Sequence, residues 1–260
     1  MAINTKNTKQ SKKSKFIQPT FAGGAKYIIH CSVCKFQYDK TRNDLVLKHN
    51  TIHDDFLYGQ KVSKTITNKL LSDDNVVNTF SININGKDFR ISVVIIPCTD
   101  KQIIQLVTKM LELVNKQWLN STECSLNWKK RPFDCKVILL LAERGTGKEK
   151  NVRIIGITTL DAPPEKSSYL IGYHLSTKTS TIGTEKPALN LRLGVSRIYV
   201  NEYYRRHGLA VVMLNAVLKH GIYGIVLNPW QIGFSQPSSA GMLMLEHWYK
   251  SVTIPVYHEL

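Results

Sequence analysis

Residues 194–210 read GVSRIYVNEYYRRHGLA, a β-prone run that empties into a basic, glycine-bearing turn and then an apolar stretch at helical spacing. This order decides the fold, because a strand ending in such a turn before a helix is how a chain grips a pyrophosphate. Backbone N–H groups at a helix start have no partner within the helix, and the helix dipole adds partial positive charge there. A glycine lets the backbone come close to the ligand. Arg205, Arg206 and His207 surround Gly208 with basic groups. A basic cluster before a helix is also an ordinary solvated turn, so the rest of the chain has to choose between the two.

The chain of 260 residues is long enough for one domain of ordinary size plus a small module. Lys and Arg number 35 against 19 Asp and Glu, a net charge of +16, which points to acidic partners: nucleic acid, an acidic protein face or a phosphate-bearing cofactor. Much of the excess precedes the first acidic residue, Asp39, in Lys6, Lys9, Lys12, Lys13, Lys15 and Lys26. Residues 1–26 therefore read as a disordered basic arm, and SKKSK at 11–15 is a candidate nuclear import signal. No stretch has the length and apolarity of a membrane span, and the start of the chain lacks the apolar core of a secretory signal. A soluble, intracellular protein without a membrane partner is expected. Cys98, Cys124 and Cys135 show no framework spacing and read as thiols.

Cys31-x2-Cys34 followed by His49-x3-His53 has the ligand types and pair spacings of a C2H2 zinc site. The cysteine pair fits a tight knuckle, and histidines four apart lie on one face of a helix. Phe36, Tyr38, Leu45 and Val46 supply the small apolar cluster that such a finger, residues 27–60, needs beside its metal. Arg42, Asn43 and Asp44 at the helix start could touch bases, but one finger covers only about three base pairs. A structural or partner-docking finger is the favoured reading, and direct DNA contact stays open.

Residues 61–78 are polar and read as a connector to a mixed α/β domain over 79–260. Two β-rich arms flank Asn85-Gly86, a strong hairpin signal. Thr99 and Gln102 can form a capping box for an amphipathic helix carrying Ile103, Ile104, Val107, Met110, Leu111 and Val114. Apolar runs at 135–142 and 152–160 read as neighbouring antiparallel strands, 168–175 as a further strand and 176–187 as a loop. Gly145-Thr146-Gly147-Lys148 is no Walker loop, because Ala142 and Glu149 stand where that motif needs Gly and Ser or Thr.

The spacing Arg205-x-x-Gly208-x-Ala210 matches the Arg/Gln-x-x-Gly-x-Gly/Ala signature of the GNAT acetyltransferases. The order of hairpin, helix, three strands, cofactor turn and helix agrees with that fold. With the finger, Gly194 through Val200, Tyr223-Gly224 as a helix end, Phe234-Ser235-Gln236-Pro237 with Gly241, and Pro255-Val256-Tyr257, the chain resembles a cohesin acetyltransferase of the ESCO type. The resemblance is close over the finger and from Gly194 onward, and general between. It implies acetyl-CoA and zinc, and transfer of acetyl to lysines of the cohesin SMC ATPase head. It also implies a nuclear, chromatin-associated location and a role in sister-chromatid cohesion. Its acetyl-CoA contacts map onto Ile198, Tyr199 and Val200, onto Arg206, His207, Gly208, Leu209, Ala210 and Val211, and onto Ser238, Ser239 and Ala240. In the arm, Gln18-x-x-Phe21 partly matches sliding-clamp ligands, a partner suggested by the family's association with replication forks, though the usual aromatic pair is absent.

The family places acidic residues at or near positions that map onto Asn215 and Gln236. An amide cannot act as a general base. The sequence reading therefore routes the lysine proton through water held by Asn215, Ser235 and Gln236. Glu202 or Glu246 as a stand-in carboxylate, and weak activity, are the other accounts, while Tyr249 and Tyr257 are candidates to protonate the leaving thiolate. The missing acids and the basic arm support an alternative, a zinc-finger chromatin or nucleic-acid-binding protein whose GNAT domain is weakly active or inactive.

Overall fold

A computed structural model describes residues 27–97, 100–118, 136–145, 151–164, 166–183 and 188–258. The basic arm with its 11–15 cluster and Gln18-x-x-Phe21, together with Cys98, Thr99, Cys124, Cys135 and the turn at 146–150, lies outside the described residues.

The finger is a small hairpin, β1 (Ile28–His30) and β2 (Gln37–Asp39), followed by α1 (Asn43–Tyr58). Its exit strand, β3 (Gln60–Lys61), leads to α2 (Lys64–Leu70), which the Ser63 side chain caps at the Ile66 amide. Next come β4 (Val76–Ile84) and β5 (Lys87–Pro97). Asn85 and Gly86 join them with φ of 51° and 75°, the positive values a tight hairpin turn demands. Then follow α3 (Lys101–Trp118), β6 (Lys136–Arg144), β7 (Asn151–Asp161), β8 (Leu170–Ser176), β9 (Thr181–Gly183), β10 (Leu189–Leu191) and β11 (Leu193–Val200). The chain closes with α4 (Leu209–His220), β12 (Ile232–Phe234), α5 (Ser239–Tyr249) and β13 (Thr253–Tyr257).

Among the described residues one sheet runs in the order β10-β8-β13-β12-β11-β7-β6-β5-β4, with β9 added on β8 and β3 on β7. Its parallel pairs are β11 with β12 and β12 with β13, and its other pairs are antiparallel. One face is covered by α4 and α5 through Met213, Leu214, Val217 and Leu245; the other is covered in part by α2 and α3 through Leu70, Ile103, Val107 and Met110. The mixed α/β class read from the sequence is the class observed.

Three local expectations change. Residues 61–78 are not a plain connector: they hold the end of β3, all of α2 and the start of β4, and Val62 and Leu70 are buried beside α3. Their polar residues mask an inward face carried by a few apolar side chains. The cap of α3 is the Asp100 carboxylate, which accepts from Gln102 N (2.8 Å) and Ile103 N (3.1 Å), because a carboxylate just before the first turn reaches the free amides there. The 176–187 segment contains β9, which extends the hairpin from β8.

The finger is joined to the sheet. Along one edge of β7, β11 ends at the Val200–Gly156 pair and β3 takes over at Gln60–Ile154. Asn201, 1% exposed, closes the joint: its N–H donates to Ile155 O (2.7 Å) and its Nδ2 to Phe56 O of α1 (2.9 Å). Arg153 of β7 donates to Gly59 O (2.6 Å), pairs with Asp54 and lies 3.5 Å from the Asp55 carboxylate. Asp55 is buried and accepts from Lys61 N (3.0 Å), so Arg153→Ala would remove its ion-pair partner and break the Asp54 and Gly59 contacts with it. The expected outcome is a loss of about 3 kcal/mol, read as a lower midpoint in urea unfolding.

Candidate cofactor site and metal centre

Lys35 takes a left-handed conformation (φ 59°) and donates to Cys31 O, while Cys31 N donates to Phe36 O; the chain thereby folds into a knuckle with both thiols on one side. Helix α1 presents His49 and His53 to it. The ligand atoms of Cys31, Cys34, His49 and His53 all lie within 4.8 Å of one another, and Cys31 Sγ is 3.4 Å from His53 Nδ1. His49 is buried against Tyr38, ring centroids 4.1 Å apart, and neither of its ring nitrogens has a hydrogen-bond partner. An orphaned buried imidazole beside two thiols fits a tetrahedral zinc ion. Hydrogen bonding from the Cys34 amide, with the His49 imidazole nearby, pulls the Cys31 thiol down to about 5, whereas burial pushes Cys34 up. A metal would hold both as thiolates.

The second centre is where β11 leaves β12. The two pair in parallel at Leu193–Ile232, Gly194–Gly233 and Val195–Phe234, and Ser235 N donates to Val195 O (3.1 Å). Beyond that point β11 keeps only β7, with a register shift at Ser196. Asn201 N–H faces β7, so by the two-residue alternation of a strand the main-chain groups of Val200 and Ile198 face the opposite way, into the opened gap. Tyr199 turns its main chain toward β7 and buries its ring against the α3 side of the sheet. Of the three strand residues assigned to the cofactor, the gap receives the backbone of Ile198 and Val200.

The turn after β11 is built to redirect the chain. Arg205 Nε donates to Val200 O (2.9 Å), His207 Nδ1 donates to Arg205 O (2.8 Å), and Arg206 and Gly208 both have left-handed φ, 67° and 71°. The first intrahelical bond of α4 is Val212 N to Gly208 O, so the amides of Leu209, Ala210 and Val211 precede it and are available to an anion. Arg206, His207 and Gly208 are exposed, and a Cβ on Gly208 would meet nothing within 4 Å. This open cradle, with a dipole aimed into it, fits a pyrophosphate. Ser238 caps α5 at Gly241 N (3.2 Å), with Ser239 and Ala240 exposed in its first turn. Because β11 and β12 run parallel, the chain leaves both toward the same end of the sheet before α4 and α5 begin.

The structure does not bring the three residues assigned to proton transfer together. Asn215 is exposed on the side of α4 opposite its buried face, which carries Met213 and Val217, so it points away from the sheet. Ser235 is buried at the apex of the split, and Gln236 follows it exposed, with φ 40°. Glu202 is exposed, and Glu246 accepts from Thr177 Oγ1 (3.0 Å). Tyr249 donates to Pro229 O (2.8 Å) inside the α5 core, where burial pushes its phenol far above the ordinary range. It is no proton donor to a thiolate. Helix α4 stops at His220, and Tyr223-Gly224 stands in the turn beyond it. Tyr257, the other candidate donor, donates to Asp161 Oδ2 (2.7 Å) in a polar group with Thr159 and Ser196 on the other face, which spacing did not reveal as a group because its members come from three separate strands.

Residues 190–257 match the family model described as the ESCO1/2 acetyl-transferase. The N-acetyltransferase ECO1 of Debaryomyces hansenii is 27% identical over an alignment of 282 residues, covering 98% of this chain and 93% of that protein. That of Yarrowia lipolytica is 25% identical, covering 96% of this chain and 78% of that protein. The solved xEco2 acetyltransferase domain bound to a lysine–CoA conjugate shares the fold at a TM-score of 0.52 and 22% identity, over 69% of this chain and 98% of that one.

The protein should bind one zinc ion per chain, and Cys34→Ser should weaken the thiolate-to-cobalt absorption of the cobalt-substituted protein to that of the single Cys31 thiolate. After chelation, hydrogen exchange should rise at the β1–β2 knuckle. The end of α1 near Phe56 should stay protected, because Asn201 and Arg153 hold it independently of metal.

Proposed function

We propose, starting from the ESCO-type acetyltransferase domain that this chain carries, that it moves acetyl from acetyl-CoA to lysines of the cohesin SMC ATPase head, on chromatin in the nucleus. The observation that carries this reading is the split of β11 from β12, followed by the left-handed Gly208 and the open first turn of α4. The split offers strand amides to a thioester arm, while the helix start and the exposed Arg206 offer charge to a pyrophosphate. A lysine–CoA conjugate in the solved relative supports lysine as the acceptor.

Acetyl-CoA is the substrate that supplies the acyl group; this chain's residues bind and aim it. Gly208 leaves room for the phosphates, and Ile198 and Val200 hold the arm by their main chain. An in-line approach of the amine then replaces a bimolecular encounter. The finger supports this site as a scaffold, through Asn201 and Arg153, and zinc in it holds the knuckle closed. Cohesin and chromatin are the proposed partners.

Incubating the protein with labelled acetyl-CoA and a cohesin head fragment, followed by mapping of modified lysines, tests the reading. Transfer to head lysines is the expected result; CoA binding without transfer would instead support the chromatin-binding alternative. Gly208→Ala, straining a left-handed position by about 1 kcal/mol, should raise KM for acetyl-CoA more than it lowers Tm. Arg206→Ala should weaken CoA binding several-fold, with a smaller effect at high salt, as expected for an exposed charge on phosphate.

A further inference from the structure

On the sheet face away from α4 and α5, two apolar clusters leave a polar strip between them. One includes Ile157 and Tyr199 under α2 and α3, and the other holds Leu170, Leu191 and Tyr257. In the strip runs a continuous hydrogen-bonded chain. Thr159 Oγ1 lies 2.9 Å from Ser196 Oγ, Ser196 Oγ donates to Asp161 Oδ1 (3.0 Å), and Tyr257 OH donates to Asp161 Oδ2 (2.7 Å). Ser196 is the residue at which β11 slips register, one step past the last pair of β11 with β12. The carboxylate is thus held beside the apex of the split.

Reaching it requires room across two strands. Tyr257 belongs to β13, and its ring crosses β12 and β11 to meet Asp161 at the end of β7. It can do so because those strands carry glycines there. A Cβ on Gly194 would lie 2.5 Å from Tyr257 Cζ, and one on Gly233 would lie 3.4 Å from its Cδ1. Four strands therefore contribute to the placement of one half-buried carboxylate. Arg197, also on this face, turns its guanidinium back to Ser196 O (2.6 Å).

We infer that Asp161 is the catalytic group that accepts the proton of the incoming lysine, an assignment that rests on the acetyl-transfer reading of the split. Asn215 points away from the sheet, and Gln236 is an amide. The lysine ammonium gives one proton to Asp161, which later passes it to solvent. The freed amine attacks the thioester carbonyl carbon; as the C–N bond forms and the C–S bond breaks, the second nitrogen proton goes to the leaving thiolate.

The test compares wild type, Asp161→Asn, Asp161→Glu and Tyr257→Phe, using a cohesin head fragment and a polylysine peptide as acceptors, across pH, with CoA affinity and Tm measured in parallel. Asp161→Asn should lower kcat roughly 100-fold, with CoA affinity and Tm unchanged, and should approach wild type as pH rises and lysine deprotonates unaided. Asp161→Glu should recover part of the rate. Tyr257→Phe, removing a donor that favours the charged carboxylate, should move the acidic limb to higher pH. An unaltered kcat and pH profile in Asp161→Asn overturns the assignment, as does loss of CoA binding and Tm together with activity in both Asp161 variants. Wild-type transfer to polylysine but not to the head fragment overturns the proposed substrate, while the profiles on polylysine still decide Asp161. No transfer to either acceptor overturns both.

Discussion

Beyond Val195 the strand β11 has one neighbour instead of two, and the rest of the site depends on that loss. A strand in the middle of a sheet ordinarily has its main-chain donors paired on both sides. Here Ser235 N takes Val195 O, and β12 gives way to the turn at Gln236, with its left-handed φ of 40°. The freed edge of β11 then faces a gap. Pairing with β7 on the other side keeps the strand straight enough to carry Ile198 and Val200 along that gap. The basic turn and the start of α4 follow at its far end.

The same strand ties the metal module to the site. Asn201 follows β11 directly, bonds to Ile155 and Phe56, and also accepts from Tyr203 N (3.1 Å) to start the short turn before Arg205. A single buried residue thus touches β7 with its main chain, and the finger helix and the segment that leads into the basic turn with its side chain. Arg153 and the β3–β7 pairing add a second and a third attachment. The end of α1 is built into the larger domain, while the Cys/His cluster that fits zinc lies where the same helix meets the knuckle.

The readable features were those whose physics is local. Asn85-Gly86 announced its hairpin because few other pairs tolerate two positive φ values. The Cys/His cluster was legible from ligand type and spacing, and the strand-turn-helix order from a glycine ahead of an apolar helix. The 61–78 stretch misled, because its polarity hid the two buried apolar residues Val62 and Leu70. Asn215 was placed by its position in a motif, yet what it can do depends on which side of α4 it occupies. Alternation in β7, with Thr159 and Asp161 two apart, was a visible hint of a shared polar face. It said nothing about which strand would lie opposite.

By itself the sequence determined the class, the spacing of the Cys and His residues that gather into one cluster, the strand-turn-helix order and the family resemblance. Each depends on residues near one another in the chain or on a motif read in order. Only the tertiary structure decided how the finger is held, that Asn215 faces away from the sheet, and that Asp161, Ser196 and Tyr257 meet at the split. Those outcomes follow from strand order and from the room left by Gly194 and Gly233. Contacts between residues 96 apart, such as Tyr257 with Asp161, have no local signature.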